Sequence, residues 1–326
     1  MTPRTSVIMP VYGTAATVLR AMRSVLEQTD PDLELIVIDD CSPDDADAVI
    51  RTHLAEHPDD RVRYLSNERN LTLPGTRNRG MDLARGAWIA FLDSDDAYEP
   101  RFLERMHAAA EEDVDVVVCP HTMVYPDGTQ RVRRRGCPGT FTGEQMLRQL
   151  LEDRTTPYAW DKIYRASALQ GVRFPIINRV EDAGFNIAAY PHARKVRVID
   201  EPLHRYSVNA SSITWGSVPP LAQSWAFIEH MKAATGWERG TAAEQDALAT
   251  AWVLTFLNSS QAALRLLSGA ELREHLRQVR RALRLPLLAR TLRTRPVYGL
   301  AGLLLKASPA LYRLLYGAYI RRAYGL

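Results

Sequence analysis

Cysteine is scarce in this chain of 326 residues, and long apolar runs are missing. The three cysteines, Cys41, Cys119 and Cys137, are an odd number without the spacing of a metal site, which fits packing roles in a reducing compartment. No stretch reaches the roughly 18 uninterrupted apolar residues that a membrane-spanning helix needs, and Arg4 precedes a strand-like run rather than a signal peptide. No internal repeat or low-complexity stretch is present. These absences predict a cytoplasmic globular protein.

Acidic residues nearly disappear from the last part of the chain, although the net charge of the whole is only +3. From residue 270 onward, twelve Lys and Arg residues stand against only Glu271 and Glu274, so this segment carries +10 and the first 269 residues carry −7. Such a split predicts a basic element that faces an anionic partner. The length allows a sizeable core and predicts one large domain with an appendage, or two domains.

Continuous apolar runs of strand length alternate with helical patterns in the first part of the chain. This alternation is typical of a parallel sheet covered by helices on both faces, in which ligands bind beyond the carboxyl ends of the strands. The predicted strands are SVIMPVY, LELIVIDD, VRYLSNE, WIAFLDSDD and VDVVVCP. The predicted helices are residues 14–28, 44–56, 75–84, 100–112 and 142–152, followed after residue 220 by helices alone at 221–234, 241–267, 270–284 and 297–320.

Three carboxylates follow the predicted strand within GAWIAFLDSDDAYEP, residues 86–100. Like charges this close repel and raise one another's pKa unless a cation lies among them. Asp93 and Asp95 could therefore share Mg²⁺ or Mn²⁺, which prefer oxygen ligands and often bridge a carboxylate to a substrate phosphate. The alternative is a solvated acidic loop in which Asp96 caps the next helix.

Side chains at three other places in the sequence could contact a nucleotide. Asp39-Asp40 ends the second strand and could accept hydrogen bonds from a base or ribose, or it could form a turn. Tyr12 could stack on a base or pack on the sheet rim. Arg77, within NLTLPGTRNRG, could offset phosphate charge or belong to a basic helix surface.

A second acidic pair and a histidine lie further along the chain. Glu181-Asp182 precedes a helical run, so one carboxylate could act as a general base, or both could simply favour the helix N-terminus. His204 could bind pyrophosphate or a metal, or could merely pack. Residues 125–137, YPDGTQRVRRRGC, predict a turn followed by an exposed basic strand.

Together these motifs resemble the family 2 glycosyltransferases with a GT-A fold. SVIMPVY, LELIVIDDCSPD, Arg77-Asn78-x-Gly80, GAWIAFLDSDD, WDKIY and VEDAGFN occur in the order of that family, over about residues 4–215. The similarity is close to bacterial members that build or decorate cell-wall and capsular polysaccharides, including the wall teichoic acid glycosyltransferases. It implies an α/β fold with a Rossmann-like, mostly parallel sheet for residues 1–218, followed by a helical C-terminal region for residues 219–326.

The resemblance also implies an inverting transfer from a nucleotide-sugar donor, with a UDP-sugar expected, that depends on Mn²⁺ or Mg²⁺. The expected acceptor is a hydroxyl of a cell-envelope polysaccharide, a teichoic acid or a lipid-linked glycan, and no nucleic acid is expected to bind. Asp40 rather than Asp39 is expected to bond the base. The implied site residues are Asp182 as base with Glu181 supporting it; Pro10, Val11, Tyr12, Asp39, Asp40, Arg77, Asp93 and Ser94 around the donor; Asp95, Asp93 and His204 around the metal; and Trp160, Asp161 and Lys162 on the acceptor side.

The sequence departs from the family pattern at three positions. Thr72 stands where glycine is usual, and Thr76 replaces an alanine before the Arg-Asn pair. Both changes lie near the donor loop, so they bear on donor preference. Asp161 replaces a common asparagine after Trp160, which adds an acid on the acceptor side.

The C-terminal segment, residues 295–326, combines leucines, tyrosines and basic residues, with Lys306 and Arg313 on one helical side. We expect it to lie on a membrane surface, at the inner face of the cytoplasmic membrane, or to pack on itself or on another subunit as a homo-oligomer contact. Pro309 should kink or divide the helix. Two rival functions are a non-catalytic nucleotide-sugar-binding scaffold and a nucleotidyltransferase; the latter would need a Gly-rich phosphate loop, where VYGTAATVLR has a single glycine.

Overall fold

The computed structural model describes residues 2–177, 179–208 and 218–324. The chain divides into two compact units, one of residues 1–147 and 155–209 and one of residues 148–154 and 210–326. The boundary predicted between residues 218 and 219 remains a prediction, because residues 209–217 lie outside the described part. The strands are β1 (Thr5–Val11), β2 (Leu33–Asp39), β3 (Val62–Ser66), β4 (Trp88–Phe91), β5 (Ala97–Tyr98), β6 (Val114–Val118), β7 (His121–Val124), β8 (Gln130–Arg133), β9 (Gly139–Thr142), β10 (Lys162–Arg165), β11 (Lys195–Val198) and β12 (His204–Ser207).

Two sheets form the first unit. Among the described residues, the larger sheet has eight strands in the order β3-β2-β1-β4-β10-β6-β11-β9, and the smaller has the order β5-β12-β7-β8. The neighbours from β3 to β4 run parallel, as predicted, but β10 is antiparallel to both β4 and β6. The N-terminal end of β10 therefore lies at the same edge as the C-terminal ends of β1, β2 and β4.

Helices cover the parallel strands because apolar side chains fill both faces of these strands. Every residue of β1 and β2 is buried, and the core continues into Val18, Met22 and Val25 of the first helix. Gly80 allows its helix to lie directly on Ile8 of β1, since a β-carbon at this position would overlap the Ile8 side chain. Within the described residues the α-helices are α1 (Val18–Leu26), α2 (Ala46–Glu56), α3 (Thr72–Leu83), α4 (Phe102–Ala108), α5 (Gly143–Leu151), α6 (Glu181–Ala189), α7 (Leu221–Thr235), α8 (Ala242–Leu266), α9 (Gly269–Ala282), α10 (Leu285–Thr294), α11 (Pro296–Ala307) and α12 (Pro309–Tyr324).

The second unit is helical throughout its described residues. Its central helix, α8, begins with a reciprocal cap in which Thr241 and Glu244 each bond the other's backbone N–H. The sequence pattern missed α10 and predicted one helix over residues 297–320, whereas the chain breaks at Ser308 before Pro309 begins α12. The effect predicted for Pro309 is thus confirmed. None of the described helices has both the length and the apolar character needed to cross a bilayer.

Candidate active site

The buried side chain of Arg77 lies at the centre of the site. Its Nη2 donates to Asp93 Oδ1 at 2.5 Å and its Nη1 donates to Asp182 Oδ1 at 2.5 Å. The guanidinium also lies over the ring of Phe174, 5.3 Å from its centroid. Burial alone would lower the pKa of Arg77, but the charges of Asp182 and Asp93 raise it, so the group stays protonated. Arg77 thus joins the acids at the end of β4 to the acidic pair at the start of α6.

Asp95 has a perturbed pKa. Burial, followed by the charge of Asp93, raises the pKa of Asp95 to about 6. Asp96 is buried more deeply, and burial with the charges of Asp95 and Asp93 holds its pKa well above the usual range. A cation placed among these carboxylates would lower the pKa values of both Asp95 and Asp96.

Side chains from α1 and β12 fix the backbone of this acidic loop. Thr17 Oγ1 donates to the Ser94 carbonyl at 3.0 Å, and Arg20 Nη2 donates to the Asp95 carbonyl at 2.5 Å and to Ser207 Oγ at 3.1 Å. The Ser207 N–H donates to Asp96 Oδ1 at 2.7 Å. Asp96 is buried and its Oδ1 holds β12, whereas Asp93 and Asp95 are only partly buried and can turn to a ligand.

A divalent cation fits this loop in part. Across the described ranges, no group of three or more His, Cys, Asp and Glu side chains has the spacing of a metal site. Asp95 and Asp93 nevertheless offer two hard oxygen ligands, and Mg²⁺ or Mn²⁺ commonly uses only one or two carboxylates and completes its shell with phosphate and water oxygens. The residues present therefore suit an ion that arrives with a diphosphate.

His204 lies apart from Asp95, the ligand it was predicted to join. It is fully buried at the start of β12, stacks on Trp160 at 4.1 Å, and has its Nε2 3.6 Å from Asp96 Oδ2. Burial lowers the pKa of His204 to about 3, so the ring is neutral. The metal role of His204 remains a prediction, and the geometry favours packing beneath the loop.

The predicted donor side splits into exposed and buried side chains. Tyr12 is 54% exposed and follows β1, where it is free to stack on a base, whereas Pro10 and Val11 are buried within the strand. Asp40 Oδ1 accepts from Asn67 Nδ2 at 2.6 Å and from the Leu71 N–H at 2.7 Å. Pro10, Val11 and Asp40 therefore shape this part of the site from behind, and Asp40 anchors the loop before α3.

Asp39 is the better placed acid for a nucleobase. It is buried at the end of β2, its Oδ2 accepts from the Ser42 N–H at 3.3 Å, and its Oδ1 has no protein partner. A buried carboxylate oxygen without a donor is costly, and a ligand N–H would satisfy it. The geometry thus favours Asp39, and the predicted contact of Asp40 with the base remains a prediction.

The acidic pair occupies the first turn of α6. Burial and the charge of Asp182 raise the pKa of Glu181, and burial raises that of Asp182 in spite of Arg77. Asn186, one turn further on, donates to the Asp182 carbonyl at 2.9 Å and to the Pro157 carbonyl at 2.9 Å. Asp182 is thus a positioned carboxylate with a raised pKa, the property that suits a general base.

The three residues predicted on the acceptor side are all buried. Lys162 is fully enclosed and donates to Asp161 Oδ1 at 2.6 Å, to Thr156 Oγ1 at 3.0 Å and to the Tyr158 carbonyl at 2.5 Å. Trp160 stacks on Tyr158 at 4.4 Å. These side chains do not present a surface to an acceptor; they brace the segment before β10.

Three residues that position the site were not predicted from the sequence. Asn67 orients Asp40, Asn186 ties α6 to the segment before β10, and Arg20 holds the acidic loop. Asn186 lies four residues after Asp182, which was a usable signal because such residues share a helix face. Nothing in the local pattern of Asn67 or Arg20 sets either apart from an ordinary surface residue.

Comparisons with known proteins agree with this geometry. A family model described as "Glycosyl transferase family 2" matches residues 6–173. EpsH of Bacillus subtilis, named as a glycosyltransferase, is 31% identical over 241 residues, which cover 72% of this chain and 69% of EpsH. S. aureus TarS 1–349 in complex with UDP-GlcNAc superposes with a TM-score of 0.71 at 21% identity, over 98% of this chain and 93% of that chain. PcManGT, a mannosyltransferase from Pyrobaculum calidifontis in complex with GDP-Man and Mn²⁺, gives 0.53 at 18% identity over 95% and 88%. The predicted fold class is confirmed.

Proposed function

The chain belongs to glycosyltransferase family 2, and on that premise we propose that it is an inverting, metal-dependent enzyme that transfers a sugar from a UDP-sugar. The acceptor is a hydroxyl of a cell-envelope polysaccharide, a teichoic acid or a lipid-linked glycan. The observation that carries the proposal is the position of Arg77, which joins Asp93 to Asp182 through two contacts of 2.5 Å. One buried cation thereby fixes the acids of the donor side relative to a candidate base.

The donor would bind along the carboxyl ends of β1, β2 and β4. Tyr12 would stack on the base, and the unpartnered Asp39 oxygen would accept its N–H. Asp95, with Asp93, would hold Mn²⁺ or Mg²⁺, which when bound offsets the charge of the diphosphate leaving group. UDP is the nucleotide of choice because TarS, which has the same fold, was solved with UDP-GlcNAc.

Asp182 would act as the base. It removes the proton from the acceptor hydroxyl while that oxygen attacks the sugar on the face opposite the leaving group. A single displacement inverts the anomeric centre and needs only one base. Glu181 lies in the same turn as a supporting residue, and burial with the charge of Asp182 raises its pKa.

The direct test is a donor panel. The protein with Mn²⁺ is incubated with UDP-, GDP- and dTDP-sugars, and release of the nucleoside diphosphate is followed for the wild type and for Asp182→Asn. We expect one nucleotide class to turn over, and the variant to lose about 10²–10⁴-fold in rate. Turnover of no donor by the wild type, or full activity in the variant, would contradict the proposal.

We also propose that the second unit rests on the inner face of the cytoplasmic membrane. On α11, Val297 is 74% exposed and Leu300 is 60% exposed, while Gly299 and Leu305 are buried on the opposite side. An apolar stripe within a segment that carries +10 suits the interface of an anionic bilayer. Contact between subunits through the helices remains the alternative, although it would bring like charges together.

Liposome co-sedimentation tests this placement. The full chain should bind vesicles that contain phosphatidylglycerol and should bind them less at high salt, since surface electrostatics are screened. Val297→Ser with Leu300→Ser should weaken binding without unfolding the protein, because both side chains are exposed. Equal sedimentation of the variant and the wild type would remove α11 from the contact.

A further inference from the structure

The basic hairpin formed by β7 and β8 has no role in the proposed reaction. Gly128, at φ +83°, occupies the tight turn, where Tyr125 and Thr129 bond across the strands. β8 is an edge strand of the smaller sheet. The segment from residue 131 to residue 135 reads Arg-Val-Arg-Arg-Arg, while Asp127 is the one acid in the hairpin.

Strand alternation assigns these arginines to two faces. Arg131 pairs across the strands with Met123, and Arg133 pairs with His121, so Arg131 and Arg133 share the face that carries His121. Arg134 points to the other face and binds Asp200 at 2.9 Å. The hairpin thus contains both a candidate pair and a matched control.

A chain of contacts connects the face that carries Arg133 with Asp182, the candidate base. His121 packs edge-on against Trp160 at 4.8 Å and against Tyr158 at 5.7 Å. The Tyr158 carbonyl accepts from Asn186 Nδ2 at 3.2 Å, and the same amide donates to the Asp182 carbonyl. Tyr158 therefore lies between the hairpin and α6, the helix of the base.

Electrostatics agree with this placement. Burial raises the pKa of the Tyr158 hydroxyl, and the positive charges of Arg133 and Arg135 oppose that rise. The charge of Asp182 acts on the same hydroxyl. The charges of Arg133 in β8, of Arg135 just after it and of the carboxylate of the base thus all act on one aromatic residue.

We propose that Arg131 and Arg133 bind phosphate groups of the acceptor, so that the acceptor is a phosphate-bearing glycan or glycolipid rather than a neutral glycan. This inference rests on the proposed function, because only a transferase has an acceptor. Arginine suits this purpose because its planar guanidinium pairs with phosphate oxygens through two hydrogen bonds. The phosphate could belong to a phosphodiester-linked polymer or to a diphosphate-linked lipid.

Binding of two small probes tests the proposal without any sugar transfer. Calorimetry measures the affinity for inorganic pyrophosphate and for diglyceryl phosphate, a phosphodiester, without added metal so that pyrophosphate stays free. Arg131→Ser with Arg133→Ser should weaken binding about tenfold or more, since the variant loses charge-assisted hydrogen bonds to the phosphate oxygens. Arg134→Ser, on the other face of the same strand segment, should bind like the wild type.

The comparison of probes distinguishes the two sources. Tighter binding of diglyceryl phosphate favours a phosphodiester polymer, and tighter binding of pyrophosphate favours a lipid diphosphate. The proposal is overturned if the wild type binds neither probe, if Arg134→Ser weakens binding equally, or if Asp95→Ala abolishes it and so places the probe in the donor site. Failure of the donor panel alongside intact probe binding would refute the transferase activity and leave the anion site standing.

Discussion

The two halves of the larger sheet differ in how they are built. The donor half, β3-β2-β1-β4, is parallel, and its strands follow one another along the chain with a helix between each pair. The acceptor half, β10-β6-β11-β9, reverses direction twice and collects strands from distant parts of the chain. In the donor half the topology brings polar residues at successive strand ends to one edge, whereas in the acceptor half the fully buried pair of Lys162 and Asp161 lies at the start of β10.

Arg77 connects the halves, and its removal should have the largest effect. Arg77→Met leaves Asp93 and Asp182 without their shared cation, so we expect a loss of about 3–5 kcal/mol in the free energy of unfolding. Urea denaturation measures this loss. Arg51→Met removes an exposed pair with Asp47 in the donor half and should cost far less, because solvent screens that pair. Similar losses in the two variants would show that Arg77 does not connect the halves.

Lys162 tests the buried pair of the acceptor half. Lys162→Met leaves Asp161 charged and enclosed, which should cost about 3 kcal/mol in unfolding free energy. Adding Asp161→Leu should recover part of that loss, because it removes the stranded charge. A double variant less stable than the single one would mean that the pair is not held by its mutual charge.

The pH dependence of stability tests the other end of the donor half, where β1 begins at Thr5. His107 Nε2 and Thr5 Oγ1 of β1 share a hydrogen bond of 2.7 Å. Burial lowers the pKa of His107 to about 4 from an ordinary 6.5. The unfolded chain therefore binds a proton at His107 at a higher pH than the folded protein does. The contribution of His107 to the free energy of unfolding is complete above pH 6.5 and falls by about 2 kcal/mol as the pH drops towards 4. Denaturation midpoints at pH 7 and pH 4.5 measure the fall, and His107→Gln should make it shallower. An unchanged slope would assign the acid sensitivity to other groups.

Thr72, the first residue of α3, should give the smallest effect. Its φ of +66° lies in the left-handed region that glycine tolerates and a β-branched residue does not. Its hydroxyl is also buried without a partner. Thr72→Gly should therefore raise the free energy of unfolding by about 1 kcal/mol, visible as a higher melting temperature. A lower melting temperature would mean that the entropy of the unfolded chain outweighs the relief of strain.

The sequence predicted the donor half well because its evidence is local. Apolar runs such as LELIVIDD carry their own ends, and Asp93-Ser94-Asp95-Asp96 lies where the pattern placed it, directly after β4. The glycine that the family pattern expects at Thr72 also matches the backbone found there.

The acceptor half was less predictable because its evidence is long-range. The antiparallel insertion of β10 depends on contacts with β4 and β6, which are far away along the chain. Lys162 and Asp161 look like surface charges in WDKIY, yet both are fully buried. The link between Arg77 and Asp182 spans more than a hundred residues, and no local pattern reports such a pair.

One calorimetric measurement tests the division between donor half and base most directly. UDP is titrated into the wild type, Asp95→Ala and Asp182→Asn in the presence of Mn²⁺, with melting temperatures as a check on folding. We expect Asp182→Asn to bind UDP like the wild type although it has lost turnover, and Asp95→Ala to bind UDP about tenfold more weakly or not at all. Equal loss of UDP binding in both variants would contradict the division, and so would wild-type binding in Asp95→Ala.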